Sequence, residues 1–178
     1  MNTRTVNTYS FDELSEQAKQ KALENFYDIN VNYEWWENIY YDAKIIGLDI
    51  TGFDLDRGAK VDFGFIHSHS HVAQNIMNEH GEGTDTHAAA KQFFTINEQL
   101  NERYEARKEQ AIDYNDKELC RIEADIEQNV DDFKDNLEHS YLKMLREEYN
   151  YLMSDEAIID SIEANDYEFL ETGKQWIG

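Results

Sequence analysis

The chain has 178 residues, 40% of them hydrophobic and 13% aromatic, which is more burial material than a disordered segment carries. It holds 38 Asp and Glu against 16 Lys and Arg, a formal net charge of −22, so its surface repels nucleic acid and anionic membrane and attracts basic proteins. A single cysteine, Cys120, excludes an internal disulfide and a multi-cysteine zinc site.

Residues 4–9 read as a short strand. Ser10 and Glu13 then form a capping box, with Tyr9 and Leu14 at the staple positions, so a helix is predicted from Ser10 onward. Leu14, Ala18, Ala22 and Phe26 give it one apolar stripe. Asn30 or Asn32 caps a second helix over 33–46, with Trp36, Ile39, Tyr40, Ala43 and Ile46 inward and Gly47 as its stop. The period then changes to two. Leu48 and Ile50 alternate with polar residues, the phase slips at Gly52, and Phe53 and Leu55 resume it, which predicts a β-bulge. Asp56-Arg57-Gly58 turns the chain into Ala59, Val61, Phe63 and Phe65, completing a hairpin near 48–66.

After a His-rich loop, Val72, Ala73, Ile76 and Met77 fit a helix ending near His80. Thr84 or Thr86 opens the next, which runs to Ala111. A polar break at 113–116 precedes the longest element, over 116–152. Its inner face is Leu119, Ile122, Ile126, Val130, Phe133, Leu137, Tyr141, Leu145, Tyr149 and Leu152. Two long helices joined by a short polar loop predict an antiparallel helical hairpin over about 86–152. Ser154 caps a helix over 155–164, and 167–177 reads as a terminal hairpin turning at Gly173. The expectation is one domain, 1–178, with the helical hairpin as an extension. Its class is α+β, mainly helical, with a small antiparallel sheet.

Charge is unevenly placed. Residues 112–172 carry 19 acidic and 5 basic side chains, a net of −14. Within the long helix, Glu123, Glu127, Asp131, Asp135 and Glu138 step by fours and a three. Glu118, Asp125 and Asp132 form a second row. Residues four apart rise about 6 Å along a helix, comparable with phosphate spacing in a nucleic-acid strand. The plain alternative is a solvated face, but such faces mix signs, whereas like charges four apart cost about 0.2–0.5 kcal/mol per pair. Trp35 and Tyr41 fall outside the buried stripe of their helix and are candidate anchors for a partner. Residues in such positions also pack beneath neighbouring elements.

Sites for chemistry are weaker. His67, His69 and His71, if extended, point to one side and can share Zn²⁺ or Ni²⁺, with His87 as a further candidate ligand and His80 and Asp85 nearby in the sequence. No HExxH spacing accompanies them, and a polar loop is the plainer reading. The carboxylates Asp49, Asp54, Asp56, Asp62 and Glu82 are the residue type that holds Mg²⁺, but strand alternation scatters them. Gly81-Glu82-Gly83 lacks the Lys-Ser/Thr of a phosphate loop, and Cys120 lies among acids that blunt a thiol. No cofactor and no catalytic residue is therefore expected, and a binding protein is favoured over an enzyme. With no apolar leader and no apolar run of about 18 residues, a cytoplasmic location is expected.

Residues 10–58, which carry SFDELSE, YEWW and FDLDRG, together with SDEAIIDSIEANDYEFLETGK at 154–174, resemble small tailed-phage and prophage proteins. Some of these carry an antitoxin-like label. The resemblance implies a setting in the cytoplasm of an infected bacterial host and action by binding another protein. It transfers no catalytic residue. Combined with the charge, it leads to an expected inhibitor of a host defence protein with a basic groove: a CRISPR effector, a restriction enzyme or another nuclease. The alternatives are an antitoxin-like or assembly module that binds without mimicry, and a metal-dependent enzyme acting on a nucleotide. The helical hairpin also offers a surface for a homodimer.

Overall fold

A computed structural model describes residues 5–110 and 116–177. The fold is α+β and mainly helical, organised as two compact units: Met1–Trp36 with Arg146–Gly178, and Glu37–Leu145. Among the described residues no helix is long and apolar enough to cross a membrane.

In the first unit two serines compete to start the opening helix. Ser10 engages Glu13 as predicted, its N–H donating to the carboxylate at 2.9 Å and its hydroxyl at 3.2 Å. The turn so made is only a 3₁₀ turn, Phe11–Glu13. The true N-cap is Ser15, whose hydroxyl accepts from the Ala18 N–H and opens α1, Glu16–Asn25. The apolar stripe survives the interruption. Phe11, Leu14, Ala18 and Ala22 are buried with Phe169 and with Ile158 and Ile162 of the C-terminal helix, Asp155–Ala164. Ser154 caps that helix as expected, accepting from the Ala157 N–H.

The strands expected at 4–9 and 167–177 shrink to two isolated bridges, Tyr9 with Phe169 and Phe169 with Gln175. The segments are too short to extend a ladder, although Tyr9 and Phe169 exchange both backbone hydrogen bonds, at 2.9 and 2.8 Å. Gly173 makes the expected turn with φ +80, and a Cβ there would lie 2.1 Å from the Ala18 carbonyl oxygen. Asn30 does not cap the second helix. It is buried, donating to the Leu152 carbonyl at 3.1 Å and accepting from the Ser161 hydroxyl.

The second unit begins with α2, Glu37–Ile46, four residues later than the predicted start. Gly47 closes it at φ +94. The hairpin follows as β1, Leu48–Asp54, antiparallel to β2, Lys60–Phe65. The bulge stands where the phase slip placed it. Ile50 faces Phe63 and Gly52 faces Asp62, leaving Thr51 over, and the Thr51 hydroxyl donates to the Asp62 carbonyl at 3.1 Å. α3, His69–Glu79, leads to the long pair α4, Asp85–Lys108, and α5, Lys117–Leu152. The last turns of α5, from Arg146, belong to the first unit. Ala111 and positions 113–115 of the predicted break lie outside the described residues.

α4 and α5 run antiparallel, as a ladder of contacts shows. Asp85 meets Lys143 at 2.7 Å, the Asn129 side chain donates to the Phe93 carbonyl at 3.2 Å, Tyr104 donates to Glu123 at 3.2 Å, and Arg107 meets Asp116. Phe93 and Phe133 stack between them with centroids 4.5 Å apart, and Phe65 of β2 lies 6.3 Å from Phe133. Ile46, Leu48, Val72, Ile76, Ile122 and Leu137 complete this core with at most 1% exposure each. Burying one such side chain is worth about 1.5–3 kcal/mol.

Candidate protein-binding surface

The inward residues of α5 fix which of its carboxylates face out. With Ile122, Phe133, Leu137 and Tyr141 buried, Glu118, Glu123, Asp125, Glu127, Asp131, Asp132 and Asp135 are exposed and Glu138 is half-buried. Among the described residues only Glu118 of these eight sits in an ion pair, 3.5 Å from Arg107. Two others accept hydrogen bonds from neutral side chains, Glu123 from Tyr104 and Asp132 from Gln128 at 2.8 Å. Glu138 lies close enough to Lys60 of β2 to act on its charge. Asp125, Glu127, Asp131 and Asp135 face solvent without a cation within ion-pair distance among the described residues.

The two acidic rows are not parallel. Each four-residue step turns about 40° around an α-helix and each seven-residue step about 20° the other way. Glu123 and Asp125 therefore lie on nearly opposite sides of α5, while Asp131, Asp132 and Asp135 converge. Glu127, Asp131, Asp135 and Glu138 fall within about 80° of arc and span about 16 Å of helix axis. That narrower set is the straight acidic track.

The aromatic candidates separate. Tyr41 is 68% exposed on α2, one turn from Ile45, which is 48% exposed. Ile66, also 48% exposed, donates its N–H to the carbonyl of Gly47, the residue that follows α2. Trp35, expected outside, is buried at 9%, with its ring 5.6 Å from Tyr149. It precedes α2 in a turn closed by its own N–H onto the Tyr33 carbonyl, so helical periodicity does not describe where it points. Trp36, expected inward, is half-buried.

The histidines do not converge. Ser68 caps α3 by accepting from the His71 N–H, so His69–His71 form a helical turn instead of an extended run. His69 packs edge-on against Phe65 with centroids 4.5 Å apart, while His67 and His71 face each other at 4.9 Å. His87 stands in the first turn of α4, and His80 is drawn into the core. Among the described residues no group of three or more His, Cys, Asp or Glu is placed to hold a metal ion. Asp49, Asp54, Asp56 and Asp62 are all exposed. Asp62 pairs with Lys60 at 2.8 Å, and Asp54 accepts from the Asp56 N–H to shape the turn. Cys120 is exposed.

Periodicity missed one polar cluster. The ring of His80, whose side chain is 8% exposed, sets Nδ1 2.7 Å from the Thr86 hydroxyl and Nε2 3.4 Å from Asp42 Oδ1. Tyr141 donates to Asp42 Oδ2 at 2.8 Å. The protons can be counted. Thr84 spends its hydroxyl proton on the Gly81 carbonyl, so Thr86 donates to Thr84 and accepts from His80 Nδ1–H. Nε2 is buried and otherwise without a hydrogen-bond partner, with the carboxylate as its nearest polar neighbour. An Asp-His-Thr sequence of contacts suggests a relay, but Thr86 is 0% exposed, so its hydroxyl cannot meet a substrate. The cluster braces α2, α3, α4 and α5 together. A Thr-x-Thr at a helix start was its only trace in the sequence. No family model, curated protein or solved structure matches this chain.

Proposed function

We propose that this chain is an acidic, phage-type inhibitor that binds a host nucleic-acid-handling defence protein and occupies its basic groove. One observation carries the reading: the track Glu127–Asp131–Asp135, exposed on a rigid helix and without cationic partners among the described residues. Such a track offers a cationic groove the attraction it ordinarily draws from phosphates, with the same sensitivity to salt. The net charge of −22 adds long-range steering, and the resemblance of residues 10–58 and 154–174 to phage proteins supplies the setting.

The test uses the immobilised chain and a lysate of a bacterial host. The expected catch is a nucleic-acid-binding protein that DNA or RNA competes away and that salt releases. The fourfold variant E123K/E127K/D131K/D135K should keep its helicity and lose the catch. Unchanged capture by that variant removes the track from the argument.

A second reading, an antitoxin-like or assembly module, draws on the exposed Tyr41, Ile45 and Ile66. An interface centred on them would hold in high salt and fail in Y41A, the reverse of the acidic track.

A further inference from the structure

At the end of the α4–α5 pair opposite Asp85 and Lys143, four cationic side chains gather beside three carboxylates. Arg103 and Arg107 stand one turn apart on α4, and Lys117 and Arg121 one turn apart on α5. All four line a single cleft of about 580 Å³. The antiparallel ladder brings them level, since Tyr104 meets Glu123 and Arg107 meets Asp116. Arg107 is already matched, by Asp116 at 3.2 and 2.5 Å and by Glu118 at 3.5 Å. Among the described residues Arg103, Lys117 and Arg121 have no carboxylate within ion-pair distance, in a chain with 38 acidic side chains to 16 basic. Like charges one turn apart repel, and here two such pairs face each other across the helix seam.

We propose that this cleft is an anion site for a compact polyphosphate, the pyrophosphate group of a free nucleotide or of inorganic pyrophosphate. A guanidinium presents a planar fork that matches two phosphate oxygens, and an ammonium adds a point charge. Two forks and one ammonium, from two helices, can enclose an anion with several oxygens, whereas a lone carboxylate satisfies one fork. The amides at the start of α5 are not the attraction, because Asp116 already accepts from the N–H groups of Glu118 and Leu119 at 2.9 and 3.2 Å. The size limit follows from charge. A long polyanion reaching the tip must pass the exposed Glu123, Glu127, Asp131 and Asp135 of α5, while a compact one touches the tip alone. Asp125 is the one carboxylate lining the cleft that no cation has claimed among the described residues.

The test is an NMR titration of the full chain with sodium pyrophosphate, a nucleoside triphosphate and a short single-stranded oligonucleotide. Pyrophosphate and the triphosphate should shift the side-chain Nε–H signals of Arg103 and Arg121 saturably, and the oligonucleotide should bind more weakly than either. R103A/R121A, which alters two exposed side chains, should keep the native spectrum and lose affinity about tenfold or more. D125N should bind pyrophosphate more tightly than the parent chain. The absence of a saturable shift, equal binding by R103A/R121A, or preference for the oligonucleotide would each overturn the assignment.

Discussion

The phenol of Tyr141 donates a 2.8 Å hydrogen bond to Asp42, a residue 99 positions earlier in the chain. Burial, reinforced by that carboxylate, holds the phenol well above its ordinary range, so Tyr141 remains a donor wherever the protein is folded. Y141F keeps the packing of a fully buried ring and removes only the bond. It should cost about 1–2 kcal/mol, because water reaching the partly exposed carboxylate makes up part of the loss. Urea unfolding should show a lower midpoint at unchanged slope.

Acid should loosen the second unit in a defined window. At Asp42 burial raises the carboxyl, but hydrogen bonds from His80 and Tyr141 and the charge of His80 outweigh it, and the group ends below the ordinary 3.8. The Arg107 guanidinium, helped by the N–H groups of Leu119 and Glu118, holds Asp116 at about 2 against the pull of desolvation. Both folded values are depressed, so this stability is fully present above the unfolded value of 3.8 and is lost as pH falls through the folded ones. Carboxyl NMR should place the Asp116 midpoint near 2, and R107A should return it toward 3.8.

Gly173 should tolerate no side chain. Its φ of +80 disfavours L residues, and an added methyl meets the backbone oxygen of Ala18, which has no rotamer to yield. G173A should destabilise the first unit by about 2–4 kcal/mol. An unchanged thermal midpoint would show that the turn can move away from α1.

Y41A separates binding from folding. At 68% exposure its loss should change stability by less than about 0.5 kcal/mol, measured by chemical unfolding. Any large loss of partner affinity in this variant therefore reports the apolar patch and not the fold.

How much of this was legible in the sequence depended on whether a signal was local. The bulge beside Gly52, the stop at Gly47 and the cap at Ser154 are written in neighbouring residues and stand where they were read, and of the two threonines offered for α4 the first is the cap. The α5 face was legible because its three-and-four spacing runs unbroken through 36 residues. Trp35 misled because it precedes its helix, and Asn30 because its partners, Leu152 and Ser161, lie more than a hundred residues away. Ser10 misled for another reason: a second capping serine five residues on won the competition. On the surface, the acidic spacing was readable, but the drift of its rows emerges only when the helix is laid out in three dimensions. The cationic tip escaped notice because its four residues come from two helices and read in sequence as ordinary scattered charge.

Phe169 receives the backbone of Tyr9 on one side and that of Gln175 on the other. Segments far apart in the sequence are thus stitched to one residue. During synthesis the apolar stripe of Phe11, Leu14, Ala18 and Ala22 must therefore wait for Ile158, Ile162 and Phe169 before it is covered. A nascent chain stalled before Phe169 would display Phe11, Leu14 and Phe26 to any chaperone within reach, and emergence of Ile158, Ile162 and Phe169 would end that exposure.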